Sequence, residues 1–89
     1  MYNAVTLKEY TKTNADELNG YAYIYQSKEW ATFKQWVTLG RVPKLGSKGV
    51  KLKWFKEVVT PKGLEKKLQF FVVFNKDQTE VIETKKETV

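Results

Sequence analysis

The sequence predicts an α+β fold: one small domain in which two helices pack on an antiparallel sheet built around a central hairpin. Three observations predict it. Side chains alternate at a period of two over residues 50–55 and again over residues 67–74, a Thr60-Pro61-Lys62-Gly63 turn separates these runs, and Trp30, Phe33 and Val37 recur upstream at helical spacing. With 89 residues the chain is near the lower end of the usual domain range, so residues 1–89 are expected to form a single body.

Residues 6–19 are expected to form the first helix, with Thr6 as its cap and Leu7, Tyr10 and Leu18 as apolar contacts. Asn19-Gly20 signals a turn. The following residues 21–25 suit a short strand with Tyr21, Tyr23 and Tyr25 on one face, which could serve as a stacking surface or as a core edge. A second helix is expected over residues 28–39, capped by Ser27, ended by Gly40, and carrying Lys34, Gln35 and Thr38 outward. Residues 41–49 contain Pro43, Gly46 and Gly49 and read as a constrained loop that displays Lys44 and Lys48.

In the hairpin, Val50, Leu52 and Trp54 are expected to be buried, and Lys51, Lys53 and Phe55 presented. On the returning strand Leu68, Phe70, Val72 and Phe74 alternate with Lys67, Gln69, Phe71 and Val73, and the second set is assigned to the presented face. Asn75-Lys76-Asp77 looks like a turn or cap, Val81 and Ile82 add a short last element, and the polar tail 83–89 is expected to fray. There is no internal repeat, low-complexity segment or interdomain linker, so the motif-bearing part at about 27–80 belongs to the same body.

Composition narrows the function classes. Hydrophobic residues at 42% and aromatics at 15% are too abundant for a disordered chain. Cysteine and histidine are both missing, which removes disulfides, thiolate metal sites and the usual general bases and nucleophiles; an enzyme is not expected, nor a cofactor. Asp16-Glu17 is the one close acidic pair and reads as a solvated helix face. Gly46-Ser47-Lys48-Gly49 lacks the spacing of a phosphate-binding loop and its following Ser or Thr. No signal-peptide pattern opens the chain and no apolar run approaches the roughly 18 residues of a membrane helix, so a soluble intracellular protein without a membrane partner is expected.

The net charge of +6 favours polyanionic partners. Between positions 28 and 67 eleven basic residues stand against three acidic ones, a local balance of +8 that leaves −2 for the flanks. The presented hairpin face would combine Lys51, Lys53 and Lys67 with Phe55 and Phe71. Cations that track phosphates, interleaved with rings on which bases stack, are what sequence-tolerant binding of single strands requires. The same pattern also allows the first helix to cover Phe55 and Phe71 while the lysines merely solubilise the surface. Trp30, Phe33, Trp36 and Trp54 lean toward the core, because a domain this small needs large side chains to bury enough area.

Two ordered runs then carry a resemblance. Trp30-Ala31-Thr32-Phe33-Lys34-Gln35-Trp36, followed by Gly40, Val42 and residues 44–50, resembles the W-x-T-F-x-Q-W … G-x-x-V-x-K-G-x-K-G signature of the ArdC N-terminal domain. Phe74-Asn75-Lys76-Asp77-Gln78-Thr79-Glu80 looks like the V-F-N-x-x-Q-T-E segment that closes that domain. Pro43 and Leu45 depart from the family's charged glycine loop by removing one backbone donor and one polar side chain. The resemblance implies an α+β domain that binds single-stranded DNA, in plasmid and phage proteins that protect incoming DNA from restriction in the cytoplasm of a bacterial host. Such proteins usually continue into a metalloprotease-like domain with an H-E-x-x-H motif, whose activity is not expected in a chain without histidine.

The combined expectation is capture of a single strand by Arg41, Lys44, Lys48, Lys51 and Lys53, extended by Lys34 and Lys67, with Phe55, Phe71 and Tyr23 or Tyr25 stacking on bases. The alternative partner is protein: a host restriction or CRISPR nuclease inhibited by direct contact.

Overall fold

The computed structural model describes residues 1–82; the tail 83–89, expected to fray, lies outside the described residues. The elements run β1 (Tyr2–Asn3), α1 (Lys12–Asn19), β2 (Glu29–Thr32), α2 (Phe33–Thr38), β3 (Arg41–Pro43), β4 (Val50–Thr60), β5 (Gly63–Asn75) and β6 (Thr79–Val81), with a 3-10 turn at Lys76–Gln78 before β6. Four strands form one sheet in the order β1-β2-β5-β4, and β3 and β6 form a separate antiparallel pair. The α+β class and the two helices are as the sequence predicts. The sheet is antiparallel apart from its two-residue edge, where β1 runs parallel to β2.

The hairpin forms as expected. β4 and β5 pair without interruption from Val50↔Val73 to Thr60↔Gly63, closed by Pro61-Lys62. Gly63 takes a φ of 116°, in the region that favours glycine, and the Thr60 hydroxyl donates to Gly63 O and accepts from Lys62 N–H.

Three local expectations give way. The first helix starts at Lys12, not at position 6, because Asn3 captures the preceding segment: its Oδ1 accepts from Val5 N–H and Thr6 N–H, and its carbonyl from Leu7 N–H. A side-chain oxygen that satisfies nearby backbone donors competes with helix, and here the loop wins. Residues 21–25 form consecutive turns in place of a strand, with Ile24 N–H and Tyr25 N–H both donating to Tyr21 O. The second helix is split. Trp30 and Ala31 join the β2 ladder opposite Asn75 and Phe74, and helix begins only after Thr32, whose hydroxyl accepts from Gln35 N–H while the Gln35 side chain accepts from Thr32 N–H. This reciprocal capping box satisfies two helix-start donors, whereas the Ser27 hydroxyl accepts from Glu29 N–H and caps no helix.

The core lies on one face of the sheet, where Leu18 of α1 meets Trp30, Val50, Leu52 and Val73, with Tyr10, Tyr21, Tyr25 and Phe71 packed around them. Tyr21 and Tyr25 stack at 6.1 Å, and both meet the Trp30 ring edge-on. Trp36 is buried too, its indole N–H donating to Phe74 O at 2.8 Å. Phe33, expected in the core, is exposed. Among the described residues no helix is long and apolar enough to cross a membrane.

Buried polar groups tie the loops to this body. Gln78 accepts from Asn75 N–H and donates to Lys48 O, while Asn75 donates to Ser27 O. Asp77 accepts from Gln26 N–H and Ser27 N–H. The Phe74–Glu80 motif therefore works as a structural hub that fixes where the loop before β4 and the start of β2 lie.

Candidate nucleic-acid interface

Beyond the core the hairpin continues as an arm, and from position 53 to position 70 none of its residues is buried. At about 3.3 Å per residue the seven steps from Lys53 to Thr60 carry it roughly 23 Å from the body. Residues directly opposite each other on two strands share a face, and successive residues alternate faces. The register accordingly sorts the side chains into two sets.

The outer face carries Lys51, Lys53, Phe55, Glu57 and Val59 from β4, opposite Val72, Phe70, Leu68, Lys66 and Leu64 from β5. Phe55 is 62% exposed and Phe70 56%. Lys53 and Phe70 share a rung, and the Lys51 ammonium sits 4.9 Å from the centre of the Phe70 ring. Cation and ring thus meet at the root of the arm through Phe70, and Lys51, Lys53 and Phe55 share one face as their alternation predicts.

The inner face, continuous with the core, carries Leu52, Trp54, Lys56 and Val58 opposite Phe71, Gln69, Lys67 and Glu65. This corrects two assignments. Phe71 and Lys67 do not join Lys51, Lys53 and Phe55: Phe71 pairs with Leu52 and packs against the core, and Lys67 pairs with Lys56. Their places on the outer face are taken by Phe70 and Lys66, which a count outward from the Thr60↔Gly63 rung would have found. Trp54, expected in the core, is 47% exposed.

The remaining expected residues separate further. Arg41 lies in β3 with its guanidinium turned onto β6, Nε donating to Thr79 Oγ1 at 2.7 Å and Nη2 to Thr79 O at 3.1 Å. It serves first to hold that strand pair. Lys44 and Lys48 are exposed on the loop leading into β4, and Lys34 is exposed on α2. Tyr25 is engaged with Trp30 and Tyr21, so it offers no free stacking face comparable to that of Tyr23, which is 87% exposed on its own turn.

At the edge of β4, Asn14 of α1 accepts from Lys53 N–H and donates to Lys53 O, so its amide extends the ladder. This brings Asp16 and Glu17 to a cleft of about 420 Å³ shared with Lys51, Lys53 and Phe70. Two carboxylates therefore border the lysines of the outer face. No cluster of three or more metal-ligating side chains occurs among the described residues.

A family model described as the N-terminal domain of anti-restriction factor ArdC matches residues 1–89. The metal-free crystal structure of the antirestriction ArdC protein from plasmid R388 matches at 25% identity with a TM-score of 0.72, over 93% of this chain and 33% of that one. Its Mn(II)-bound structure gives 24% identity and a TM-score of 0.76, over 94% and 35%. This chain spans about a third of the length of those structures. No curated protein sequence matches it. Matched by the family model from end to end, with the same strand-and-helix fold, the chain belongs to the family of N-terminal domains of the anti-restriction factor ArdC.

Proposed function

We propose that this domain binds single-stranded DNA along its hairpin arm, in the service of antirestriction. The observation that carries the reading is the outer face, where Lys51, Lys53 and Lys66 share one side of the arm with the exposed rings of Phe55 and Phe70 and no helix among the described residues covers those rings. Phosphates supply electrostatic affinity to such a surface, and base faces, hidden in a duplex, supply stacking of roughly 1–3 kcal/mol each. On this reading the chain is a binding module that brings no catalysis of its own. Family membership supports the antirestriction context.

The test is fluorescence anisotropy with a labelled oligonucleotide, single-stranded and as duplex, across a salt series. Tighter binding of the single strand is expected, with affinity falling by about 0.7 log unit per log unit of salt for each phosphate neutralised. Equal affinity for duplex would remove the stacking argument, and no binding at low salt would remove the reading.

One observation favours a second reading. The tip of the arm exposes Val59 and Leu64 on the same rung, apolar groups with no use for phosphate. They suit contact with a protein such as a host nuclease. Retention of a protein from nuclease-treated host extract, lost on changing both residues to Ser, would favour it.

A further inference from the structure

The inner face of the arm borders a second cleft, distinct from the row of Lys51, Lys53 and Phe55. Trp54 and Phe71, diagonal neighbours across β4 and β5, line a cleft of about 430 Å³, a volume within the usual range for small-ligand sites. Tyr10 from the N-terminal segment, Asn14 from α1 and Gln35 from α2 form its walls. The three tryptophans differ sharply here: Trp30 and Trp36 are sealed, while Trp54 is nearly half exposed.

Two further features point to what would enter. Gln35 Oε1 accepts from both Thr32 N–H at 3.0 Å and Asn3 Nδ2 at 2.9 Å, which fixes the orientation of the amide. Its Nε2 then has no protein acceptor among the described residues, leaving an oriented donor on a wall beside the rings. Two rungs along from Trp54↔Gln69, Lys56 and Lys67 stand directly opposite each other on the same face. Like charges so placed destabilise a hairpin, and no ion pair joins either to an acid among the described residues. An anion would relieve them. Rings, an amide donor and a lysine pair joined to no acid by a salt bridge among the described residues are complementary to a base and its neighbouring phosphates.

We propose that this cleft takes one unstacked nucleobase of a bound single strand against Trp54 and Phe71, with Lys56 and Lys67 receiving the adjoining phosphates. The inference rests on the single-strand reading but names a site on the opposite face from the one that carries it.

The experiment follows anisotropy and tryptophan emission together while a labelled twelve-residue thymidine oligonucleotide is added to the full chain, with an abasic oligomer of equal length as the charge-only control. With Trp30 and Trp36 buried, quenching reports on Trp54. Expected results are quenching that saturates with the anisotropy, little quenching by the abasic strand, and roughly ten- to hundredfold weaker binding for Trp54→Ala with recovery in Trp54→Phe. Phe71→Leu, which keeps the core contact and removes the ring, is expected to weaken binding without lowering the melting temperature of the free protein by more than a few degrees. Binding that leaves emission unchanged, or quenching by the abasic strand equal to that by thymidine, overturns the cleft and leaves the single-strand reading standing. No anisotropy change at low salt overturns both.

Discussion

Lys53 and Phe70 face each other across β4 and β5, so a single rung of the arm presents a cation and an aromatic ring on the same side. The Lys51 ammonium approaches that same ring, which leaves Phe70 flanked by two charges attractive to a phosphate chain. Phe70 is therefore the ring of the outer face whose loss should cost binding without harming the fold. Phe70→Ala is expected to weaken single-strand affinity by about 1–3 kcal/mol in an anisotropy titration and to leave duplex affinity nearly unchanged. An equal loss for both ligands would contradict stacking at this position.

Asp16 and Glu17 place two negative charges beside Lys51 and Lys53. Neutralising them as Asp16→Asn with Glu17→Gln should raise single-strand affinity several-fold at low salt, because the lysines would no longer share their field with carboxylates. The gain should shrink toward nothing near 1 M salt, where the Debye length is about 3 Å. Titrations of native and double-variant protein at both salts give the comparison, and an unchanged affinity at low salt would place the DNA path elsewhere.

The hairpin, its turn and its basic root were legible because period-two alternation on β4 and a Pro-containing turn leave little choice. The returning strand was not, since residues 70–74 are apolar without interruption and alternation cannot say which of Phe70 and Phe71 faces inward. Only the turn decides. With Thr60 paired to Gly63, Leu52 must oppose Phe71 and Lys53 must oppose Phe70, so the outer ring could have been named from the loop length alone. The split at Thr32 carried a readable signature as well, the Thr32-x-x-Gln35 box, but the helical spacing of Trp30, Phe33 and Val37 masked it. The placement of Trp30 in β2 depends on the distant Asn75 and Phe74, and local spacing holds no record of that pairing.

The close approach at Gly49 gives a stability prediction. A Cβ there would collide with a methyl of the Val72 side chain and crowd the Phe74 ring at 3.1 Å. Gly49→Ala should cost about 1–3 kcal/mol, lowering the melting temperature by at least several degrees, because both neighbours belong to the central strand and can shift little. A thermal scan followed by circular dichroism measures it. A melting temperature equal to that of the native protein would mean that β4 can move away from β5 at its root.

Gln78 offers a second, chemically different test of the fold. Gln78→Ala would strip Asn75 N–H and Lys48 O of their partners at a buried site. An unsatisfied buried group costs about 1–3 kcal/mol, and a loss of that size is expected in urea unfolding, with the midpoint falling and the slope unchanged. Because Lys48 leads into β4, the same variant should also loosen the loop that displays Lys44 and Lys48. Amide exchange across residues 44–49 should accelerate more than exchange in the β4–β5 ladder; uniform acceleration would instead assign Gln78 to the global core.

Tyr10 supplies the pH dependence. Burial raises its pKa above the ordinary 10.0, and the Asn3 amide that donates to its hydroxyl at 3.1 Å opposes the shift only in part. The neutral phenol is thus favoured in the folded protein. Below pH 10 both states hold the proton and the full contribution is present; above it the unfolded chain ionises first, and stability falls as pH rises toward the folded value. Urea midpoints measured between pH 8 and pH 11 should therefore decline more steeply for the native protein than for Tyr10→Phe. The variant begins lower, by about 1 kcal/mol, because it loses the hydrogen bonds from Asn3 and to Trp30 O. Every other group is common to the two proteins, so the difference between the two curves isolates this hydroxyl. Curves that stay parallel across the range would show that the Tyr10 ring opens to water before it ionises, and with it the wall it contributes to the cleft beside Trp54.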